Sequence, residues 1–493
     1  MNIAYATSEI APYSKSGGLA DVSAALPNEL ARLGHHVRIF TPYYRAARKL
    51  EPKARQVAQG QVPVGEEMIG WTLHTASSNT GVRDKAQLYF IGCDQYFDRE
   101  GLYGTSKGDF EDSCQRFVLF SRACLAAVQA LAWSVDVWHC HDWQSALVPV
   151  YLKLLFAKHP LLSGAASVFT IHNLAYQGLF WHWDWPVLNL PWKHYNWKEM
   201  EFHGKMNLLK GALVHADLLT TVSPTYAKEI QTPELGCGLD GVLRDRTDDL
   251  TGIVNGIDPN DWNPATDLML PAAYGPTSLE GKMICKAALR RRLNLPENGS
   301  AVIGMIGRLV EQKGFDLLAQ TLDELLRRDI QLVILGTGRE EFHRQLEQFQ
   351  ITRPEKVAVA FAFDNGLAHL IEAGSDIYLM PSRYEPCGLN QLYSLVYGTP
   401  PVVHRVGGLA DTVTDATEPN LANGTATGFQ FEGYTPQEMM SALDRALRLW
   451  KEEPEVWRKL QLTGMGQDWT WPMSARKYVE VFKAAIKKIK SKE

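Results

Sequence analysis

Cations, glycine pairs and carboxylates recur together in this chain at spacings suited to binding an anion. The segment Lys15–Asp21, KSGGLAD, has a counterpart in Arg405–Asp411, RVGGLAD. Each places a cation two residues before a glycine pair and an aspartate three residues after it. A glycine pair at a strand-to-helix turn lets backbone N–H groups approach an anion, and the helix N-terminus adds positive potential. A tight turn with a helix cap is the alternative interpretation of either copy alone.

Two other segments carry charge directly after an apolar run. In GRLVEQKG, Arg308 and Lys313 could converge on a diphosphate, the first as a planar fork and the second as a point charge; a solvated pair explains the spacing equally well. In PSRYEPCGL, Glu385 stands between proline and glycine turns, where it is suited to accept hydrogen bonds from hydroxyls. Cys387 beside it is either a nucleophile or a small packing residue, and the lack of a companion histidine motif favours packing.

The run HCHD ends another apolar strand and brings a metal site into consideration. His139 and His141 fall on one face at the strand period of two, but a zinc site needs further ligands and no other His/Cys cluster exists. The chain also contains no Asp-x-Asp. We therefore predict no metal, and interpret Asp142 as a cleft carboxylate. His172, after the next strand, is a second cleft candidate.

Two further segments resemble ligand-binding motifs, one for dinucleotides and one for sugars, but details of each favour a structural role. GTGREE, from residue 336, resembles a dinucleotide fingerprint, but Glu341 replaces the third glycine, so we predict an ordinary turn. Five of the 14 tryptophans lie between 181 and 197. Aromatic faces stack on the C–H faces of sugars, but for most of the five we favour packing of an insertion.

These motifs stand where short apolar strands meet helical patterns. The alternation begins at Ile3 and restarts after 258–276, a proline- and aspartate-rich stretch that we interpret as a linker. Such alternation is typical of parallel sheets with helices on both faces. We predict an α/β fold of two facing Rossmann-like doubly wound domains with an interdomain cleft, where ligands lie beyond the carboxyl ends of strands.

Composition limits the partners. The 493 residues carry 50 basic against 55 acidic side chains, a net charge of −5, which disfavours nucleic acid. The N-terminus has no signal-peptide pattern, and no apolar run approaches the roughly 20 residues of a membrane span. Seven cysteines without a CxxC pair are typical of reduced thiols. We expect a soluble, cytoplasmic protein without a membrane partner.

With these motifs identified, the chain resembles the bacterial glycogen synthases and plant starch synthases, retaining glycosyltransferases of the two-Rossmann (GT-B) type. The resemblance follows the whole chain through KSGGLADV, HCHDWQ, TIHNLAYQG, TVSPTYAKEI, IVNGID, GRLVEQKG, PSRYEPCGLNQLYSLVYGTPPVV and GGLADTV. It implies an N-terminal domain over 1–254 and a nucleotide-sugar domain over 255–468. A final helix, about 469–493, would cross back to complete the first domain. Plastid localisation would apply only if a transit peptide had been removed.

The resemblance also implies roles for single residues. Those of the first domain that would meet the donor diphosphate, nucleoside and glucose are Lys15, Gly17, Gly18, Asp21, Asp142 and His172, with Asn255 at the hinge. Arg308 and Lys313 would hold the diphosphate from the other side. The donor glucose would be surrounded by Glu385, Cys387, Gly388 and Leu389. RVGGLAD would lie behind the EPCGL loop and close the cleft.

Two positions depart from the family pattern. Ser16 replaces the usual threonine of the first loop and keeps its hydroxyl. Asn390 replaces the usual threonine after EPCGL. The resemblance implies a contact to the donor phosphate at this position, which comes either from the backbone N–H or from the asparagine amide in place of the threonine hydroxyl.

The implied function is transfer of glucose from ADP-glucose to the non-reducing end of an α-1,4-glucan with retention, without metal or other cofactor. A related transferase that uses UDP-glucose or a small acceptor is the nearest alternative. A nicotinamide-dependent oxidoreductase would need the fingerprint that Glu341 interrupts. A catalytically silent glucan-binding protein would not need the full set of charged loops. Oligomeric state, primer requirement and processivity stay open.

Overall fold

The structure is a computed structural model that describes residues 1–77, 85–105 and 108–491. Two compact units make up the chain. The first comprises Met1–Val222, Ala227–Gly256 and Trp471–Glu493, and the second comprises Ser223–Tyr226 and Ile257–Thr470. The last two residues of the predicted C-terminal helix, 492 and 493, lie outside the described residues.

The first unit is built on a nine-stranded sheet in the order β14-β13-β9-β8-β1-β2-β5-β4-β3. Its neighbours pair in parallel, except that β4 runs antiparallel to both β3 and β5. The strands of this unit are β1 (Asn2–Ala6), β2 (His36–Pro42), β3 (Arg55–Val64), β4 (Glu67–Thr75), β5 (Gln87–Gly92), β6 (Gly104–Thr105), β7 (Gly108–Asp109), β8 (Val137–His141), β9 (Ala166–Ile171), β10 (Leu179–Trp181), β11 (Glu201–Phe202), β12 (Lys205–Asn207), β13 (Leu218–Thr221) and β14 (Leu250–Gly252).

Helices cover the sheet, and most are short. Up to residue 256 they are α1 (Gly18–Arg32), α2 (Arg45–Leu50), α3 (Asp94–Phe97), α4 (Ser113–Ala130), α5 (Asp142–Ser145), α6 (Leu147–Leu154), α7 (Leu208–His215), α8 (Pro224–Glu229) and α9 (Asp240–Asp245). Short 3₁₀ helices span His182–Leu188, Trp192–His194 and Thr247–Asp249.

The second unit holds a six-stranded, wholly parallel sheet in the order β17-β16-β15-β18-β19-β20. Its strands are β15 (Ala301–Ile306), β16 (Ile330–Leu335), β17 (Val357–Ala360), β18 (Ile377–Met380), β19 (Pro401–His404) and β20 (Phe429–Phe431). Its helices are α10 (Glu280–Arg292), α11 (Phe315–Leu325), α12 (Glu340–Thr352), α13 (Asn365–Gly374), α14 (Asn390–Val396), α15 (Gly407–Thr412), α16 (Glu418–Ala422), α17 (Pro436–Glu452) and α18 (Pro454–Met465), with a 3₁₀ turn at Glu311–Lys313.

The prediction of two Rossmann-like doubly wound units is confirmed. The central strands β1, β8 and β9 are buried almost throughout, as expected of parallel strands with helices on both faces. In the second unit, two separate apolar clusters lie on opposite faces of the sheet, one containing Ile303 and the other Val302. The last helix, α19 (Trp471–Lys490), packs Tyr478 and Phe482 into the core of the first unit.

Two predictions fail when side chains are considered. The stretch 258–276 is not a free linker, because Trp262 stacks between His369 and Tyr393 at ring-centroid distances of 3.8 and 3.7 Å. The packing interpretation of the tryptophan segment is wrong for most of its five indoles. Trp185 is fully buried, and Trp192 packs on it although more than half of Trp192 is exposed, but Trp181, Trp183 and Trp197 are exposed. No helix among the described residues is long and apolar enough to cross a membrane.

Candidate functional site

Three predicted site segments of the first unit meet at one edge of its sheet. KSGGLAD follows β1, Asp142 follows β8 and His172 follows β9, and these three strands are neighbours that run parallel. Between β1 and β8 the strand order reverses, with β2 on one side and β9 on the other. In open α/β sheets such a reversal leaves a crevice beyond the carboxyl ends of the strands.

The first glycine of KSGGLAD has no structural reason to be glycine. Its φ of −160° is an extended conformation open to any residue, and a Cβ built there would meet no atom within 4 Å among the described residues. Gly17 and Gly18 are both exposed, and α1 begins without a side-chain cap in the part of the chain described. Lys15 Nζ lies 2.7 Å from Asp21 Oδ1. The open space and the uncapped helix start make this turn suited to an anionic ligand.

A residue that the sequence reasoning missed, Glu9, holds this loop from inside. Its buried carboxylate accepts hydrogen bonds from Ser16 N (2.6 Å), Ser16 Oγ (2.6 Å), Gly17 N (3.3 Å) and the Tyr103 hydroxyl (2.7 Å). The N–H of Gly17 is therefore already engaged within the protein. The position of Glu9 shortly after the apolar strand β1 is the sequence feature from which its role at this edge could have been predicted.

The Asp142 side chain is hydrogen-bonded to the backbone of His172, and the His172 ring is bonded to that of His141. Asp142 Oδ1 accepts from His172 N at 2.7 Å, and the rings of His172 and His141 are linked Nε2 to Nδ1 at 2.9 Å. Burial raises the pKa of Asp142 to about 7, although the N–H groups of His172 and Asn173 oppose that shift. Burial lowers the pKa of His172 to about 3. The raised pKa favours the protonated carboxyl and the lowered pKa favours the uncharged imidazole, so both groups are suited to exchange hydrogen bonds with hydroxyls.

The metal interpretation of His139 and His141 gains no support. Their rings do lie close, with centroids 4.1 Å apart, but His139 Nε2 bonds to Thr170 Oγ1 at 2.8 Å and its ring packs against Tyr478 and Phe482. Across the described ranges no group of three or more His, Cys, Asp or Glu residues could hold a metal ion. Both histidines are core residues of the first unit.

In the second unit the predicted residues again gather at one sheet edge. GRLVEQKG follows β15, PSRYEPCGL follows β18 and RVGGLAD follows β19, on three neighbouring parallel strands. The strand order reverses between β15 and β18. The first two loops therefore flank the position at which α/β sheets bind ligands.

Lys313 and Glu385, for which separate roles were predicted, form an ion pair. Lys313 Nζ donates to Glu385 Oε2 at 2.6 Å, and Ser382 Oγ donates to the same oxygen at 2.9 Å. The carboxylate is almost fully buried, whereas about a quarter of the lysine side chain is exposed. Arg308, on the same loop, is exposed, and its Nη2 reaches Gln312 at 3.5 Å. The edge thus presents an oriented ammonium, a guanidinium and a carboxylate together.

Close backbone packing fixes these two loops to each other. Gly314 has φ +80°, and a Cβ there would lie 2.0 Å from the carbonyl oxygen of Pro381, so only glycine fits. Buried Gln391 supports the second loop by donating to the carbonyls of Cys387 and Gly388 at 3.0 and 3.1 Å. Cys387 is buried, which agrees with its interpretation as a packing residue. Leu389 and Gly388 complete the turn into α14.

The amide of Asn390 is committed within the protein. Its Nδ2 donates to the Tyr378 hydroxyl at 2.7 Å and to the carbonyl of Ile306, the last residue of β15, at 3.0 Å. The predicted contact of Asn390 with the donor could come from its side-chain amide or from its backbone N–H. Because the amide is already bonded within the protein, this arrangement favours the backbone N–H. The side chain instead ties the start of α14 to the strand that carries Arg308.

The second glycine loop proves different from the first. Gly407 and Gly408 lie directly behind the EPCGL turn, where a Cβ on either would fall 1.9 Å from the carbonyl oxygen of Glu385 or Cys387. Arg405 pairs with Glu432 instead of facing this turn. The loop therefore packs the backbone that presents Glu385.

Two remaining predictions concern a turn and a hinge residue. Gly338 in GTGREE forms a β-bridge with Leu309, so the loop's backbone packs on its neighbour as an ordinary turn. Asn255 is buried one residue before the chain leaves the first unit, and its Oδ1 lacks a hydrogen-bond partner among the described residues. An unpaired buried amide oxygen is costly, which marks this position for a ligand or water contact.

Comparisons with known proteins agree with this geometry. Residues 2–245 match the family described as starch synthase catalytic domain, and residues 287–460 match glycosyl transferases group 1. A glycogen synthase of Koribacter versatilis is 46% identical, with 98% of each chain covered. One from Anaeromyxobacter sp. is 47% identical, over 98% of this chain and 99% of the relative.

A solved structure extends the similarity to three dimensions. The catalytic domain of starch synthase IV from Arabidopsis thaliana, bound to ADP and acarbose, superposes with a TM-score of 0.89 at 32% identity. The match covers 99% of both chains. The whole chain, including both sets of loops, is therefore accounted for by one family.

Proposed function

The chain belongs to the glycogen synthase family of glycosyltransferases, and from that premise we propose that it transfers glucose from ADP-glucose to the non-reducing end of an α-1,4-glucan with retention of configuration. The similar starch synthase was solved with ADP and acarbose, a nucleotide and a glucan-like molecule, which supports both partners. The fold accords with the GT-B architecture of such enzymes.

One observation carries the proposal beyond family membership. The Lys313 ammonium is held 2.6 Å from the Glu385 carboxylate at a sheet edge that also presents Arg308. A hydrolase that cleaves glycosidic bonds needs two carboxyl groups about 5–5.5 or 6.5–9.5 Å apart. A cation held against a buried carboxylate instead suits a substrate with a diphosphate next to a polyhydroxylated sugar.

In the proposed mechanism, Lys313 and Arg308 bind the donor diphosphate and stabilise the negative charge that develops as the sugar–oxygen bond breaks. The pairing with Glu385 keeps the ammonium oriented before the donor binds, and two of its three N–H donors remain for phosphate oxygens. The other carboxylate oxygen of Glu385 is assigned to a glucose hydroxyl. Cys387, Gly388, Leu389 and Asn390 shape that sugar pocket through their backbone.

Residues of the first unit complete the proposal. Lys15 and Gly18 contact the diphosphate, and Asp21 acts near the nucleoside. Asp142 and His172 bind donor or acceptor hydroxyls, and Asn255 uses its unpaired oxygen toward the substrate. The acceptor hydroxyl enters on the face from which the diphosphate leaves, and a phosphate oxygen takes its proton, which gives retention.

The decisive experiment measures glucosyl transfer from radiolabelled ADP-glucose and UDP-glucose to glycogen and to maltotriose. We expect ADP-glucose to be preferred and α-1,4 linkages to form on both acceptors. Absence of transfer from either nucleotide sugar would refute the function, and a preference for UDP-glucose would refute the donor assignment.

A matched pair of variants tests the role of the cation. Lys313→Ala should lower kcat/KM by about 10²–10³, the usual cost of losing one stabilising donor to developing charge. Arg339→Ala removes an exposed cation that pairs with Glu311 beside the same loop and should leave transfer within about twofold. Transfer by Lys313→Ala near the wild-type rate would contradict the mechanism.

A further inference from the structure

The tryptophan segment of the first unit carries four exposed indoles that the proposed reaction does not use. Trp181, Trp183, Trp192 and Trp197 are 63, 78, 56 and 72% exposed, and they are the exposed tryptophans of the described residues. All four lie within 17 residues of one another along the chain, from 181 to 197. Exposed indoles so concentrated in sequence mark an interaction site more than chance surface composition. We call these four side chains the indole surface.

The backbone beneath the indole surface is firmly anchored. Leu188 O accepts hydrogen bonds from Arg122 Nη2 at 2.9 Å and from the Tyr151 hydroxyl at 3.1 Å. Asn189 Nδ2 donates to Gly65 O at 2.7 Å, and Gly65 N donates to Val187 O at 3.0 Å. Such anchoring orders this part of the backbone before any ligand binds, which lowers the entropic cost of binding.

Aromatic neighbours below the surface add to this support. Trp185 is fully buried, and both Trp192 and Tyr195 pack on its ring at centroid distances of 6.1 and 5.3 Å. The buried indole thus supports Trp192 and Tyr195 directly.

The indoles are flanked by groups that form hydrogen bonds. Lys205 Nζ lies 5.2 Å from the centre of the Trp181 ring, and Lys198 Nζ lies 5.4 Å from that of Trp197. The ring of His182 lies 4.3 Å from that of Trp183. Sugars are bound by this combination, an aromatic face for C–H groups and polar neighbours for hydroxyls.

The charge of the region favours a neutral ligand. Between residues 181 and 205 the three lysines, at 193, 198 and 205, are balanced by Asp184, Glu199 and Glu201, which gives a formal charge of zero. A lipid surface or an acidic partner would call for an excess of basic side chains. A neutral polysaccharide requires none.

We propose that the indole surface is a glucan-binding site made of residues other than those assigned to the reaction, at which indole faces stack on glucose units of an α-1,4-glucan. The proposal rests on the proposed function to this extent, that the acceptor is a polymer long enough to occupy a second site. By holding the polymer, the site raises the local concentration of chain ends without contacting the donor. It therefore affects use of glycogen but not of a trisaccharide.

The test compares three purified full-length variants with the wild type. The first, W181A/W183A/W197A, keeps Trp192 because that side chain packs on Trp185. The second, W181F/W183F/W197F, retains aromatic faces at the same places. The control, L268A/M283A/F363A, removes three exposed apolar side chains of the second unit. Glycogen affinity is measured by retardation in glycogen-containing native gels, and transfer by kcat and KM for glycogen and maltotriose.

We expect the alanine variant to lose affinity for glycogen by tenfold or more, since each lost indole contact costs about 2- to 13-fold. Its KM for glycogen should rise, with kcat and KM for maltotriose within twofold of wild type. The phenylalanine variant should keep most of the affinity, and the control all of it. Unchanged retardation of the alanine variant would overturn the proposal.

Other occupants have their own signatures. Sedimentation that shows a wild-type oligomer dissociating in the alanine variant would assign the surface to a second copy and overturn the proposal. Binding of the wild type, but not of the variant, to phosphatidylcholine vesicles would do the same. Failure of the proposed function is distinguishable, because a protein that binds glycogen through the indoles but transfers no glucose retains this site.

Discussion

The two glycine loops provide a matched test of which cation acts on the donor. Lys15 and Arg405 occupy the same place in their motifs, and each is a little more than half exposed. Each pairs with one carboxylate, which is one-third exposed in Asp21 and largely exposed in Glu432. Exposed ion pairs contribute about 0–1 kcal/mol to stability. Lys15→Ala and Arg405→Ala should therefore change the free energy of unfolding by similar, small amounts.

Their effects on catalysis should differ. Loss of a charged contact to the departing diphosphate costs about 2.7–4 kcal/mol, so Lys15→Ala should lower kcat/KM for ADP-glucose by about 10²–10³. The ion pair with Asp21 does not prevent the contact, because breaking an exposed pair costs less than the donor interaction returns. Arg405 faces Glu432, and Arg405→Ala should stay within about twofold.

The assay measures initial rates of transfer from ADP-glucose to glycogen, with urea unfolding of each variant as the control for stability. Lys15→Arg should recover part of the lost activity, since the charge returns with a different geometry. A larger defect in Arg405→Ala than in Lys15→Ala, at equal stability, would refute the reasoning about the two loops.

Three further changes test single features of the site. Gly17→Ala should leave the free energy of unfolding unchanged or raise it by about 0.4–1 kcal/mol, since nothing opposes the Cβ, but it should raise the donor KM. Gly314→Ala, the control at a glycine with φ +80°, should unfold readily in urea. A Gly17→Ala variant that is stable and fully active would argue against approach of the donor to this glycine. Asn390→Ala removes two hydrogen bonds but leaves Tyr378 and Ile306 bonded to each other, so it should lower the free energy of unfolding by about 0.5–1.5 kcal/mol. The donor KM should change less than threefold. A KM rise above 30-fold at unchanged stability would show a direct side-chain contact. Asp142 has a pKa of about 7 in the folded protein against about 3.9 unfolded, so it binds its proton more tightly when folded, and this contribution to stability is lost as pH rises from about 4 to 7. The difference in unfolding free energy between Asp142→Asn and the wild type should therefore grow in favour of the variant across that range and level off above it. A difference that stays constant with pH would contradict the pKa shift.

Much of the site could be predicted because it lies at strand ends. Buried parallel strands read as continuous apolar runs, and the residues that follow such a run fall at the carboxyl edge. Lys15, Asp142 and His172 were found in this way, as were Arg308 and Glu385. The strand order that makes them neighbours is not local in sequence, although the alternation of strands and helices limits it strongly.

The partnerships within the site were beyond sequence reasoning. Lys313 and Glu385 are 72 residues apart, and Asn390 bonds to a carbonyl 84 residues away. Each contact depends on β15 and β18 lying side by side, and on where a loop turns within a few ångströms. The antiparallel hairpin of β3 and β4 was missed for a different reason, since polar residues on its exposed positions hide a core face that only the folded sheet defines.

The tryptophan segment shows why composition alone misleads about exposure. Indoles are usually largely buried, so packing was the reasonable expectation for most of a group of five. Here Trp185 is buried and supports Trp192, whereas Trp181, Trp183 and Trp197 are exposed.

The identical letters GGLAD in the two loops end in opposite physical situations. In the first, a Cβ at Gly17 would project into open space, so the glycine leaves room for a group that is not part of the protein. In the second, Gly407 and Gly408 are filled on that side by the backbone of the Glu385 turn, so the glycines allow one loop to pack on another. The same backbone permissiveness thus serves ligand approach in one unit and loop packing in the other. Whether the glycines serve ligand approach or loop packing depends on what lies beside them in the folded protein, and the GGLAD motif does not encode that neighbour.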